Sequence, residues 1–561
     1  MATVSVNLKD ADGDNDASGK PAGQVMAEYT MAQQALAKKL KALKARAKKR
    51  RDPWLPHWQD VYDYVFPYRE GFFNKSEGQR KTDWIFDQTA VVGVPQFASR
   101  IQTGMFPAQG RAFGLAPGVD VPKAKRTRDM QAQLDTIAEA FHEGLRNSNF
   151  ESELHEGAQD LGIGTLTMMI EPGVYPGDIK CTTVSPNQLY ILPGGNDTVG
   201  MWWYERPDMT MEEVRETWPK AKFSPAMEAA ARANPDAKLT VCQITVADQM
   251  EIFEPHYDYF LFCENHGCIM DHRHYSGIGS CPWITARWSK TSNEVWGRGP
   301  ILTVLPSIKT TNLTVQMVLE NAEMAIAGMY TYDDDGVFNP DNIVVQPGMF
   351  VPRAPGSKVE AMESPSRFDI STLILQDERQ NIKKGLFIDE LDRDAKTPYS
   401  AEEVGQRMAA MARNMGSVSG RLWSEFMQPL AKRLAHIYRT QGLIDLPKID
   451  GKSVRMVPLS PLLRTQDLAD ISNFVQYVQV MNGTMGAATS SVSLNKQRTI
   501  EWLNDKFGVD KGILNTSSEA RQLIETASKV IGQMQQPGQT GADAAQPLMK
   551  SAVDKGLSLQ G

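Results

Sequence analysis

The chain has 561 residues but only five cysteines, an odd number, so no disulfide framework is indicated and synthesis in a reducing compartment is expected. It has no run of about 18 apolar residues, which argues against a membrane-spanning helix. The opening Met1-Ala-Thr-Val-Ser-Val-Asn-Leu-Lys-Asp10 lacks the charged-then-apolar pattern of a signal peptide. Positive charge is not in surplus: 60 Lys and Arg against 67 Asp and Glu leave −7. A protein that grips duplex DNA tightly is usually basic. An acidic balance still suits a conduit, where DNA must slide past a repulsive wall.

Signatures of catalysis are scarce too. Gly451-Lys-Ser453 has the last letters of a phosphate-binding loop, but Leu446 stands where the earlier glycine is required, so an ATP-driven motor is not expected. Gly416-Ser-Val-Ser-Gly420 places Val418, not a nucleophile, at the centre of an elbow-like pattern. No spacing pairs two carboxylates as an acid/base dyad. Thiols and imidazoles do cluster in Cys263-Glu-Asn-His266-Gly-Cys268, His272, His274 and Cys281. Their spacing matches no usual zinc pattern. Glu264–Gly267 reads as a hairpin turn that would point the flanking side chains in different directions. No metal and no cofactor is assigned.

What is present is ordinary globular material: 41% hydrophobic and 23% charged residues, ample for a core and for more than one domain. The middle is the most organised part. Residues 300–326 carry Ile308, Val315, Val318, Leu319, Ala322 and Ile326 at helical spacing. Residues 327–368 change character, with Asp333-Asp-Asp-Gly336, Asn342-Ile-Val-Val345, Pro347-Gly348 and Pro355-Gly356, which predicts short strands and turns. A second helix is expected over 369–391 and a polar connection over 392–399. Ser400-Ala-Glu-Glu403 then forms a capping box, opening a long helix with Val404, Met408, Met411, Met415, Val418, Leu422, Phe426 and Leu430 on one stripe. Pro429 should kink it by clashing with the carbonyl of Glu425.

Before this region, 1–23 reads as a disordered arm, and 24–51 as a helix ending in the basic run Ala37–Arg51. That run is either a solvated face with Leu36, Leu40 and Leu43 turned inward, or a contact for DNA or an acidic neighbour. Trp54, Trp58, Tyr62, Tyr64 and Phe66 read as core. Helices are expected at 90–105, at 128–146 and from about 150 to 162. Strands are expected at 166–170, 188–192, 200–205, 241–247, 251–254, 259–263 and 283–288, with a short helix at 211–216. After the long helix come a strand at 454–459, helices at 465–481, 496–507 and 518–534, and a Gln/Gly/Pro-rich tail from 535. The fold class is therefore α+β.

Several stretches resemble the portal, or head-to-tail connector, protein of short-tailed phages of the T7-like kind. They are Ala98-Ser-Arg100 with Met105-Phe-Pro107, Asn147-Ser-Asn-Phe150 before Gly162-Ile-Gly164, Trp296-Gly-Arg-Gly299, Thr397-Pro-Tyr-Ser-Ala-Glu-Glu-Val404 and Gln466-Asp-Leu468. The likeness runs from about Ala47 to Lys506. It implies a portal fold, assembled as a ring of about twelve subunits at one capsid vertex of the virion. It implies a wing over 24–299, helical then β-rich, stem helices at 300–326 and 369–391 and a clip at 327–368. It further implies a tunnel loop at 392–399, a long wing-crossing helix with its return strand at 400–459 and a crown at 460–534, with a tail over 535–561. Assembly in the host cytoplasm is expected, with a terminase motor, then a tail adaptor, and the major capsid and scaffolding proteins as partners, and double-stranded DNA in the channel. Arg393, Lys396 and Tyr399 would touch DNA.

Glu320, Glu323, Asp377, Glu378, Asp389 and Glu390 would line the channel, or else pair with Lys309, Lys383 or Lys384 of a neighbour. A 23-residue stem helix spans about 35 Å, a fair channel segment. The reading is of a structural conduit rather than an enzyme. The rivals are a nuclease or terminase subunit, and an adaptor that binds nucleic acid through residues 38–51.

Overall fold

The computed structural model describes residues 22–485 except 70, 73–81, 108–109, 123–127, 196, 249–253, 328–329, 334–349, 354–367, 389–414, 446–448 and 461–464, together with 499, 502 and 503. Two compact units divide the chain, Met1–Leu463 and Arg464–Gly561. In the first, α1 (Ala22–Arg51) and a short 3-10 turn (Asp52–Trp54) lead into α2 (Leu55–Tyr64) and α3 (Thr89–Met105). Strand β1 (Phe113–Pro117), α4 (Arg128–Arg146) and α5 (Phe150–Ile163) follow. Then come β2 (Thr165–Pro172), β3 (Ile179–Thr183), β4 (Leu189–Pro193), β5 (Val199–Met209), α6 (Met211–Thr217) and α7 (Pro225–Ala233). A run of strands closes this half: β6 (Leu239–Asp248), β7 (His256–Cys263), β8 (Cys268–Ser276) and β9 (Trp283–Arg287).

The strands form an antiparallel five-stranded sheet in the order β4-β5-β6-β7-β8 and a three-stranded sheet β3-β2-β9. Alternation on β5 explains how both faces are used. Met201 and Trp203 bury against Leu36, Ala37, Leu40 and Ala47 of α1. Trp202 and Tyr204 bury in the main core, and Tyr204 meets Trp283 edge-on. Two reciprocal bonds tie the sheets: the Trp202 indole donates to Thr285 Oγ1 at 2.8 Å, and the Trp283 indole to Thr245 Oγ1 at 2.8 Å. Buried tryptophans need a partner for their N–H, and here each finds a hydroxyl on the facing sheet. Helices α6 and α7 cover Leu239, Val241, Tyr259, Leu261 and Met270; α6 is entered through a Thr210–Glu213 capping box.

The second half supplies α8 (Pro300–Ala327), parallel strands β10 (Tyr330–Asp333) and β11 (Phe350–Arg353), and α9 (Phe368–Gly385). Next come α10 (Gly416–Leu422), a π-helical turn (Trp423–Met427) and α11 (Gln428–Thr440), and then β12 (Val454–Pro458), which pairs with β1. The second unit contains α12 (Thr465–Met485), and in it Phe474 packs on Trp502 at 5.1 Å.

Most expected elements are found within a few residues, but the helix expected over 369–391 ends at Gly385, where the chain turns through Phe387 at φ 56°. Trp58, Tyr62 and Phe66 are buried as expected. Strands β1, β3 and β8 and helices α2 and α7 were not legible in the pattern. Pro429 does not simply kink its helix. The π turn lies immediately before it, and Gln428 N–H bonds back five residues to Trp423 O, so the widened turn takes up the proline. Expected features at 1–21, 251–253, 389–414 and most of 486–561 lie outside the described residues. Among the described residues no helix is long and apolar enough to cross a membrane.

Candidate functional site

The base of α8 is built by two glycine pairs meeting backbone to backbone. A Cβ on Gly164 would stand 2.1 Å from Gly297 O, one on Gly297 would stand 2.1 Å from Gly164 O, and one on Gly299 would stand 2.0 Å from Gly162 O. The contact is closed by hydrogen bonds from Gly299 N to Ile163 O at 2.8 Å, from Trp288 N to Gly164 O at 2.9 Å and from Gly297 N to Thr165 Oγ1 at 2.8 Å. Trp296 is fully buried, edge-on to Trp58 at 4.8 Å. Two of the stretches that carry the resemblance, Gly162-Ile-Gly164 and Trp296-Gly-Arg-Gly299, thus form one structural joint from which α8 departs.

Helix α8 is then held along its length. Asn312 is buried, with its side-chain oxygen accepting from Phe86 N at 2.7 Å and Asp87 N at 3.1 Å and its amide donating to Trp84 O at 2.9 Å. Asp87 in turn takes Arg379 Nε of α9 at 2.8 Å and Thr89 N at 3.0 Å. Burial works to raise the Asp87 pKa, but these donors hold it below the usual carboxylate range. Lys309 of α8 pairs with Asp60 of α2 at 2.6 Å, so within the chain it does not serve the acidic residues of α8 and α9. Arg100 of α3 caps the end of α9 by donating to Phe387 O at 2.7 Å. The two helices touch closely at Gly385, where an added Cβ would lie 2.1 Å from Val304 Cγ1.

Glu320 and Glu323 are exposed on α8, with Gln316 donating to Glu320 Oε1 at 2.9 Å. On α9 Asp377 is exposed, whereas Glu378 is half-buried with Oε2 enclosed and unbonded. The same helices expose Leu313, Met317, Leu319 and Ile374, between 45% and 52% each. Asp389, Glu390, Arg393, Lys396 and Tyr399 lie outside the described residues.

The basic helix α1 splits its charges. Lys38, Lys39, Lys41, Arg46, Lys48, Lys49 and Arg50 are exposed. Lys44 turns inward between Glu205, which it contacts, and Glu264 at 2.6 Å. Burial opposes its charge, yet the two carboxylates hold its pKa well above the ordinary lysine range. Glu205, Glu264 and Cys242 would otherwise make a plausible metal trio, their ligand atoms lying within 4.8 Å of one another, but the ammonium already fills the role of the cation. Arg51 is also buried, donating to Asn187 O at 2.7 Å and lying 4.3 Å from the Tyr190 ring centroid.

The cysteine–histidine run does not converge. Glu264–Gly267 is a turn, as its sequence suggests, but Cys263 and Cys268 stand directly opposite each other across it instead of diverging. They belong to the α6/α7 face. His272 lies on the other face, stacked on Phe260 of the α1 cluster at 4.7 Å. Cys281 is elsewhere, its thiol 3.5 Å from Trp283 O. Gly451-Lys-Ser453 is a bend in which Asp450 Oδ1 accepts from both Lys452 N and Ser453 N, not a phosphate loop. Gly416–Gly420 is part of α10.

The family model described as bacteriophage head to tail connecting protein matches residues 37–514. A probable portal protein of Bordetella phage BPP-1 is 19% identical over 519 residues, covering 86% of this chain and 90% of that protein. Among solved structures, the neck of an empty GTA particle matches 77% of this chain and 94% of its own at 11% identity, with a TM-score of 0.35. The virion of a native gene transfer agent particle matches 76% and 94% at 12% identity, also with a TM-score of 0.35.

Proposed function

The chain belongs to the bacteriophage head to tail connecting protein family, and we propose on that footing that it is a portal protein, the ring-shaped channel at one capsid vertex through which genomic DNA is packaged and ejected. The observation that carries this reading is the family match across 37–514, which takes in the whole helix–insert–helix region. The exposed surface of that region supports it. Helix α8 spans about 42 Å at 1.5 Å per residue. Its exposed side mixes Leu313, Met317 and Leu319 with Glu320 and Glu323. A neighbouring subunit would cover the apolar part, and the acidic part would keep DNA mobile.

In finer detail the protein is of the T7-like short-tailed kind, with about twelve subunits in a closed ring. Residues 300–326 and 369–391 are the stem and 327–368 the clip. Glu320, Glu323, Asp377, Glu378, Asp389 and Glu390 face the channel, and Arg393, Lys396 and Tyr399 of the 392–399 loop touch DNA. The wing (24–299 and 400–459) and the crown (460–534) complete the subunit, flanked by the arm (1–23) and the tail (535–561). Terminase docks first and a tail adaptor later, while capsid and scaffolding proteins surround the ring. It is a structural part of the virion, assembled in the host cytoplasm and without enzymatic activity of its own.

Native mass spectrometry with negative-stain imaging of the purified protein tests the reading. Closed rings with a central hole, free of ATPase and nuclease activity, are expected. A stable monomer across salt and concentration, or nanomolar DNA binding by that monomer, would refute it. Given rings, Glu320→Lys with Glu323→Lys should reduce packaged DNA without reducing ring yield if these residues line the channel.

A further inference from the structure

Away from the α8–α9 pair, four ionisable side chains, His256, Asp258, His272 and His274, converge on the α1 face of the five-stranded sheet. In the β7–β8 register His256 opposes Ser276, Asp258 opposes His274 and Phe260 opposes His272. Alternate residues of a strand share a face, and Phe260, in the α1 cluster, shows which face it is. His274 Nδ1 lies 2.9 Å from Asp258 Oδ1. Its other nitrogen, Nε2, lies 3.1 Å from His256 Nδ1, and the two rings stack at 5.2 Å with 22° between their planes. A carboxylate only accepts, so His274 Nδ1–H donates to Asp258, and His274 Nε2 accepts from His256 Nδ1–H, whose proton a bound ion would displace.

Two nitrogens bound tetrahedrally to one ion at about 2.0–2.1 Å stand about 3.3 Å apart, close to the spacing seen here. A carboxylate behind the distal ring nitrogen is the arrangement that orients a metal-binding histidine. A further carboxyl, Asp248 on β6, stands directly opposite His256 in the β6–β7 register. The His274 side chain is 45% exposed, so an ion and its waters have access.

The geometry points to a binding site for a divalent transition-metal ion, zinc being the reference case, held by His256 Nδ1 and His274 Nε2, with Asp258 as the orienting carboxylate and water completing the shell. Neither the cysteine pair nor the Lys44 cluster takes part. The ion would join β7 to β8 at the end of the hairpin remote from the Glu264–Gly267 turn.

The test is calorimetric titration of the full-length, tag-free protein with Zn²⁺ at pH 7.5. One equivalent per subunit is expected, weakened about tenfold or more by His256→Gln or His274→Gln and about 10- to 100-fold by Asp258→Asn. His272→Gln, which removes a second imidazole 3.5 Å from the same Asp258 oxygen, should weaken it less than either of the other histidine substitutions. Nitrogen splitting in the Cu²⁺ spectrum of the unaltered protein reads the same ligands without relying on variants that must fold. No binding, binding indifferent to both histidine substitutions, or a Co²⁺–thiolate absorption band placing the metal at Cys263 and Cys268 would each overturn the assignment.

Discussion

Gly299→Ala is a sharp test of how α8 is anchored. The new Cβ would lie 2.0 Å from Gly162 O and 2.5 Å from the carbonyl carbons of Gly162 and Ile163. All of these are backbone atoms, so no side chain can rotate away. Restoring contact distance requires the two segments to part by about 1 Å, which breaks the 2.8 Å bond from Gly299 N to Ile163 O. Overpacking of this kind costs about 1–3 kcal/mol, and each lost backbone hydrogen bond adds about 1 kcal/mol. The total is about 2–4 kcal/mol. For the unit spanning Met1–Leu463, an unfolding entropy of about 2.1 cal/mol/K per residue amounts to about 1 kcal/mol/K, so Tm should fall by about 2–4 °C. The assay is thermal melting followed by circular dichroism, with Gly420→Ala as the comparison. Nothing lies within 4 Å of that glycine's added Cβ, and alanine in a helix gains about 0.5–1 kcal/mol over glycine. Equal Tm values for the two variants would refute the close-contact argument. Because the joint sets the departure of α8, ring yield of Gly299→Ala should fall as well.

Further expectations concern the buried polar groups. Arg287, 5% exposed, makes a bidentate pair with Glu425 of the π turn at 2.7 and 3.0 Å; Glu425→Leu should cost about 3–5 kcal/mol in urea unfolding, and adding Arg287→Met should restore much of it. His142 is buried, accepting at Nε2 from Ala112 N at 3.0 Å and bonded through Nδ1 to Ala138 O at 2.6 Å. Burial first of all lowers its pKa below 6.5, so its contribution is complete above about pH 6.5 and is lost as pH falls through the lower folded-state value. Melts from pH 7.5 to 5 should show the loss, with a shallower slope for His142→Gln. Lys44→Met leaves Glu205 and Glu264 facing each other without their cation, so Tm should fall, and adding Glu264→Gln should recover part of the loss.

Much of the fold was legible because periodicity reports burial directly. The aromatic run of α2 buries Trp58 and Tyr62, and the apolar runs of β5 and β6 are buried on both faces, whereas the α8 stripe buries Ile308 but leaves Leu319 exposed. Strand β3 was missed because Ile179–Thr183 offers only five residues, with alternation too brief to separate from a loop. Strand β8 was missed because Cys268–Ser276 is an edge strand rich in charged and histidine residues, and it is held by its pairing with β7 rather than by its own hydrophobicity. The Pro429 expectation treated the helix as strictly α, and a π turn is a tertiary accommodation that spacing cannot reveal. At the candidate site, the exposure of Glu320, Glu323 and Asp377 agrees with a polar helix face. The clamp of Asn312, Asp87 and Arg379 was not foreseeable, because its partners lie 225 and 292 residues apart.

The sequence alone determined the α+β class, the helix–insert–helix order of the middle and the lack of a phosphate-loop motif at Gly451-Lys-Ser453, since each rests on local spacing and on which residue types stand at fixed offsets. Tertiary structure alone decided which glycines touch, which lysine of the basic helix turns inward and which histidines meet. Those are contacts between segments far apart in the chain. Their energies depend on ångström-scale distances that only the packed fold sets.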